Sequence, residues 1–362
     1  MAKNTAAKKQ NPLSSLLHSQ MMIPLVALAL LLVFNLIMDP TFFRITLGTN
    51  SDGNPVLSGN LISALNNGSE LAILAIGMTL VTAASGGQDI SVGATIAISG
   101  SAMLRVLCGT ESSPSSLAAP IILGFLVAVL AGMLCGAFNG ILVATFRIQP
   151  MIATLILYTA GRSIAAWINN NQLPIVPGKT FTYFGGFIPG CPMPTPFLIA
   201  VLCIIVIALV MKFTNLGLYI QSVGINENAA KLNGLKPAFI KILSFVILGV
   251  CVAVAALIKC SRTSTINYSV VAQNIEMDAI LAVALGGNNL GGGKFNIWAS
   301  VVAAYVIQLL TTTLYKFKVS SDALPAYKAV VVILLIVFSS PVVKEKLSQI
   351  SRSRKAAAKE VG

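Results

Sequence analysis

The sequence predicts an all-α, polytopic membrane protein with about ten transmembrane helices, some of them broken or re-entrant. Three observations carry that prediction. Hydrophobic residues make up 56% of the 362 and charged residues only 10%, against about a quarter charged in a soluble domain. Apolar runs long enough to cross a bilayer recur along the chain. The bases gather at the ends of those runs and in the tails, the distribution expected when positive loops stay inside.

Residues 1–21 form a tail carrying Lys3, Lys8 and Lys9, residues 22–343 the membrane domain, and residues 344–362 a second tail with Lys344, Lys346, Arg352, Arg354, Lys355 and Lys359. The first run, Met22–Met38, is too long for a signal peptide and lacks a small-residue cleavage site, so it reads as an anchor. The runs that follow are 60–84, 90–108, 117–146, 150–170, 197–213, 240–259, 276–291, 295–315 and 325–343. Ten spans return both termini to one side. With the tails inside, the inner segments add Arg147, Lys212, Lys231, Lys236, Lys241 and Lys294, so that 15 of the 24 Lys and Arg lie there. Both termini are therefore placed in the cytoplasm. The eighth run is short and leaves a re-entrant reading open.

The net charge of +13 does not indicate a nucleic-acid partner, because no aromatic residue is interleaved with the bases of either tail. Membrane lipid is the expected surrounding. Six cysteines show no metal-ligand spacing and His18 is the lone histidine, so no metal set or Ser-His-Asp set is available. Gly286 to Lys294 resembles a phosphate loop superficially, but Phe295 follows the lysine where Ser or Thr is needed. Two outer segments, Asp39–Gly59 and Asn171–Pro196, are rich in Pro, Gly and Asn; they read either as a docking surface for an outside partner or as simple connections.

Polar residues at membrane depth are costly and mark a path or an internal pair. One group is Gly86, Gly87, Gln88, Asp89 and Ser91, where the glycines allow a tight turn and Asp89 and Ser91 are expected to cap the next helix. A second is Glu276 and Asp278, suited to the positive end of a helix, followed by Gly286, Gly287 and Asn288. The shared pattern of apolar run, Gly-Gly break and polar step suggests an internal duplication, a common transporter device. A third is a scatter of Asn139, Arg162, Asn169 and Gln308. Their amides suit a hydroxyl-rich solute and serve equally as interhelical glue; Arg162 is either a snorkelling base or the partner of an acid.

The polar segment 222–241 interrupts the apolar chain on the inner side. Asn226 is positioned to cap a short helix of Glu227, Asn228, Ala229, Ala230, Lys231 and Leu232, which Gly234 ends, with Gly224 before it. A helix so short is unstable alone and fits a groove on another protein.

With those residues in hand, the chain resembles the permease subunits of bacterial ABC importers for monosaccharides, the ribose, xylose, arabinose and galactose group. The stretch Gly77-Met78-Thr79-Leu80-Val81 through Gly86-Gly87-Gln88-Asp89-Ile90-Ser91-Val92-Gly93 resembles the family's Gly-Gly-Ile-Asp-Leu-Ser-Val-Gly signature. Gly224 to Gly234 resembles the cytoplasmic coupling segment, and Glu276-Met277-Asp278 through Gly286-Gly287 and Gly291-Gly292 resembles the family's acidic-then-Gly-Gly element. The resemblance runs from about Leu61 to Pro341, and Gln149-Pro150-Met151-Ile152-Ala153-Thr154-Leu155-Ile156 is most similar to the galactofuranose-type branch. It departs at Gln88, where Ile or Val is usual, and at Asn288-Asn289; these alter the sugar if they touch solute and change nothing if they only shape turns.

The resemblance implies a permease of the bacterial inner membrane that is not itself an enzyme. It binds no cofactor, and ATP-Mg is expected on a partner ATPase. A soluble sugar-binding protein outside and a second permease subunit, identical or paralogous, complete the expected assembly. Two alternatives stand beside it: an ABC permease for a branched-chain amino acid or nucleoside, and an ion-coupled secondary transporter.

Overall fold

A computed structural model describes residues 21–49 and 53–339; the basic tails, His18 and the end of the predicted tenth run lie outside the described residues. Among these residues there are twelve α-helices: α1 (Met22–Met38), α2 (Asn60–Ser85), α3 (Val92–Cys108), α4 (Ile121–Ala144), α5 (Pro150–Ile168), α6 (Thr195–Phe213), α7 (Leu216–Ile225), α8 (Glu227–Leu232), α9 (Pro237–Thr263), α10 (Ile275–Leu285), α11 (Ile297–Lys316) and α12 (Leu324–Ser339). Six of them, α2, α4, α5, α6, α9 and α11, are long and apolar enough to cross a membrane. α1 and α3, with 17 residues each, and α12 are apolar and shorter.

The predicted runs coincide with helices, with one correction. The eighth run, expected over 276–291, is an 11-residue helix, α10. At 1.5 Å per residue it rises about 16 Å, half the thickness of a bilayer core. It stops because Gly287 adopts φ +72° and the amides of Gly287 and Asn288 turn back to the carbonyls of Ala284 and Val283, a glycine-terminated helix end.

α2 and α9 form the centre. α2 is apolar on every side and almost wholly buried, as a helix enclosed by other helices must be. α4 lies along α9 through Gly132, Gly136 and Gly140, one per turn, so that a Cβ on Gly132 or Gly136 would strike the carbonyls of Gly249 or Phe245. The outward faces of α4, α5 and α6 are apolar and exposed, with Leu126, Leu130, Ile152 and Leu202 among them, a surface that suits lipid.

The two segments read as outer connections lie at the end of the bundle opposite α8. The first contains a 3-10 turn, Pro40–Phe43, and an antiparallel pair, Thr46–Thr49 with Pro55–Ser58. Asp39 accepts from Lys316 Nζ of α11 at 2.6 Å. The second is tied down: Leu57 N donates to Pro192 O, Val176 N to Ser264 O, and Phe181 is fully buried.

Candidate transport-coupling site

α8 is built by its caps. Asn226 Oδ1 accepts from Ala229 N at 3.0 Å, and Gly234, at φ +81°, lets Leu235 N reach Ala230 O. Both terminators predicted from the sequence act as expected. Within α8 only Ala230 is buried; Glu227, Asn228, Ala229, Lys231 and Leu232 are exposed, Leu232 to 90%. Glu227 accepts from Lys241 Nζ of α9 at 2.6 Å. Recesses flank the helix on both sides. One, of about 310 Å³, is lined by Ser85, Arg147, Gln149, Asn228 and Lys241; the other, of about 460 Å³, by Leu218, Tyr219, Ile225, Ala229 and Leu235. A solvated helix shorter than two turns with a protruding leucine is not held by packing of its own and depends on its caps.

The Gly86-Gly87 break and the Gly291–Gly293 run, a few residues beyond the second break, meet at the foot of α7, a helix that sequence reasoning did not separate from the polar segment. Gly293 N donates to Ala83 O at 2.9 Å. A Cβ on Gly86 would lie 2.8 Å from Gly291 O, and one on Gly224 would strike Ala83 O and lie 2.6 Å from Gly293 N. Gln88 Nε2 donates to Leu290 O at 3.2 Å, joining the same two segments. Three segments far apart in sequence thus converge with only backbone between them, and glycine is what lets them.

Above this junction the remaining predicted residues divide. Asp89 Oδ1 accepts from Ser91 N and Ser91 Oγ, and Asn139 Nδ2 of α4 donates to Asp89 Oδ2 and Ser91 Oγ at 3.2 and 2.9 Å. The capping role expected of Asp89 and Ser91 is therefore corrected: no side chain caps α3, and Asp89 instead ties the amide before the helix to α4. Asn288 Nδ2 donates to Ser300 Oγ, and Asn288 Oδ1 accepts from Asn296 N at 2.7 Å. Gln88 and Asn288 both bridge segments of the chain here. Gln308, on α11, packs its Cβ toward Gly68 of α2.

Arg162 of α5 donates from Nη1 to the carbonyls of Tyr268, Ser269 and Val271 at 2.9, 3.1 and 3.1 Å. It holds an irregular turn, and its Nη2 and Glu276 Oε2 lie beside the same glycine, Gly93, so its charge also faces an acid, though among the described residues it makes no ion pair within 4 Å. Glu276 is buried against Gly93, in the first turn of α3. Asp278 pairs with Lys328 of α12 at 2.6 Å.

Sequence reasoning missed one buried acid. Glu70, 1% exposed, forms ion pairs with Lys259 Nζ at 2.7 Å and Arg262 Nη1 at 2.9 Å, both on α9, while Arg262 donates to Asn67 Oδ1. The signal was an acid inside an otherwise apolar span, matched by two bases a turn apart at the end of another. Among the described residues no cluster of three or more His, Cys, Asp or Glu is placed to hold a metal ion.

Residues 60–340 match the family described as branched-chain amino acid transport system / permease component. The chain is 34% identical to the fructose import permease protein of Bifidobacterium longum over 100% of its own length and 99% of the relative's. It is 39% identical to the galactofuranose transporter permease protein of Escherichia coli, covering 87% of this chain and 88% of that one. Identity to the ribose import permease protein of Escherichia coli is 32%, over 86% and 91%.

Proposed function

The chain belongs to the family of branched-chain amino acid transport system permease components, and from that premise we propose that it is the membrane subunit of an ATP-driven importer for a monosaccharide. The observation that carries the reading is the convergence of the Gly86 turn and the Gly291–Gly293 run on Gly224, at the root of the exposed, doubly capped α8. A force applied to α8 reaches α2 and the α10–α11 turn through backbone contact alone. That is the mechanical need of a subunit that hydrolyses nothing itself and is driven by a separate ATPase.

In this reading α8 docks on the ATPase, with Glu227, Lys231 and Leu232 facing it, and the α8 end of the bundle is cytoplasmic. Both termini lie on that side. A soluble sugar-binding protein delivers solute at the opposite end, and a second permease copy or paralogue closes the path. Alternating access follows from ATP-driven approach of the two ATPase domains. Monosaccharide is favoured over an amino acid because the relatives named above, for fructose, galactofuranose and ribose, resemble the chain over most of its length.

Co-expression with the neighbouring ATPase, reconstitution in vesicles, and uptake of labelled galactose, fructose and ribose test this. The expected result is ATP-dependent uptake of one sugar that falls when Glu227 and Gly234 are substituted. Intact uptake in those variants, or a permease that never co-purifies with an ATPase, sinks the reading.

A further inference from the structure

α9 ends at Thr263 and α10 begins at Ile275, so residues 264–274 re-enter the bundle without a helix. Two contacts fix their depth. Arg162, which holds the carbonyls of Tyr268, Ser269 and Val271, stands about 18 Å along α5 from Pro150, well inside the membrane thickness. The carbonyl of Ala272 lies 2.8 Å from where a Cβ on Gly93 would stand, in the first turn of α3. Ser264, Ala272 and Asn274 adopt φ of +59°, +51° and +64°, left-handed values that cost free energy in non-glycine residues and that cluster at functional sites.

The outward surface of this segment is mostly polar, with Val270 its one exposed apolar residue among the described ones. Asn267, Ser269, Gln273 and Asn274 are exposed, and the side-chain amides of Gln273 and Asn274 have no partner among the described residues. The Asp278–Lys328 pair, partly open, lies alongside. The exposed face of α6, by contrast, presents Leu198, Leu202, Ile205 and Leu209. Hydrocarbon accepts the α6 face and rejects the other, because irregular backbone and unpaired amides survive at membrane depth only against protein or water.

The geometry points to Asn267, Ser269, Gln273 and Asn274 as the hydrated wall of the translocation path, where their amides and hydroxyl meet a neutral polyhydroxylated solute. An amide both donates and accepts, which matches the vicinal hydroxyls of such a solute. Asp89, Asn139 and Asn288 differ, since their polar groups bond to one another and to neighbouring helices. This inference rests on the transport reading for its solute but not for its water.

The test uses the complete transporter in lipid vesicles, with Ser269→Cys, Gln273→Cys and, as a lipid-facing control, Leu202→Cys. The probe is 2-sulfonatoethyl methanethiosulfonate, with labelling read at each site by peptide mass spectrometry. A thiol reacts as its thiolate, which forms in water and not in hydrocarbon, so positions 269 and 273 are expected to label about tenfold or more faster than 202. Equal rates at the three positions overturn the wall. Gln273→Leu is expected to raise the KM for uptake several-fold with the complex still assembled; an unchanged KM removes the solute contact. A wild-type transporter whose variants label in this pattern yet imports none of fructose, ribose and galactose overturns the monosaccharide reading and leaves the hydrated wall standing.

Discussion

The two ends of α2 are held in opposite ways. At the inner end Ala83 and Gly86 meet Gly224 and Gly291–Gly293 backbone to backbone, closed by the Gly293 N to Ala83 O bond. At the outer end Glu70 reaches Lys259 and Arg262 of α9 through long side chains. Close-packed backbone has no slack, so an added atom displaces a whole segment. Long charged side chains swing about their rotatable bonds and keep contact while the helices behind them shift. The inner end is thus built to move as a block with α7 and α8, and the outer end to tolerate a change in spacing.

That contrast breaks most sharply at Gly224. In Gly224→Val the new side chain has nowhere to go, and overpacking on the order of 1–3 kcal/mol is expected. ATP-driven uptake should fall to background, and thermal unfolding in detergent should report the lost stability. A variant that transports normally would mean the inner junction is slack after all.

At the outer end, Glu70→Gln removes the one charge that offsets two bases. The bases are partly exposed, with side chains 30% and 26% accessible, so water recovers part of the cost and about 1–2 kcal/mol of destabilisation is expected. Restoring the balance with Lys259→Gln in the same chain should return part of it. Uptake should survive in the double variant, since the outer contact is adaptable. If Glu70→Gln abolishes uptake without lowering stability, the outer end is no passive tie.

Gly234→Ala sharpens the comparison from the other side. Gly234 is left-handed, but nothing lies within 4 Å of an added Cβ. Only the backbone cost of about 1 kcal/mol applies, and it falls on α8 alone. Weaker binding of the ATPase with unchanged global unfolding is the expected pair of results, measured by co-purification and by thermal melting.

The smallest effect belongs to Asp39, at the outer end of α1. Lys316 beside it, with help from the Thr41 hydroxyl, lowers its pKa from 3.8 to about 2. A carboxylate whose folded pKa is depressed contributes stability above its unfolded pKa and loses it as pH falls through the folded value. Asp39→Asn should therefore melt slightly below wild type at neutral pH. The two should converge as the pH falls from 4 through about 2, and a difference that widens with acid would contradict the Lys316 pairing.

The spans were legible because apolar length is a one-dimensional property; each run coincides with a helix over the described residues, and among these α10 ended well short, where Gly287 turned. The caps on α8 were legible because Asn226 and Gly234 act on neighbours within a few residues. The meeting of Gly86, Gly224 and Gly293 was not, since each glycine looks like a local turn until the others are beside it. Glu70 went unnoticed for the same reason: its partners lie nearly 200 positions away. The polar groups singled out at membrane depth, Asp89, Asn139 and Asn288, bond to neighbouring segments, whereas Gln273, just outside the predicted runs, drew no notice.

The ladder of Gly132, Gly136 and Gly140 between α4 and α9 has a mechanical consequence. Two helices touching along their main chains cannot roll about their own axes or slide past one another without backbone collision. They form one stiff strut, and α9 alone runs about 40 Å end to end. One end of that strut stands beside α8 through Lys241, and the other carries Lys259 and Arg262. A small tilt imposed at the α8 foot is therefore delivered at the far end of the bundle, with the pivot wherever α2 crosses the pair.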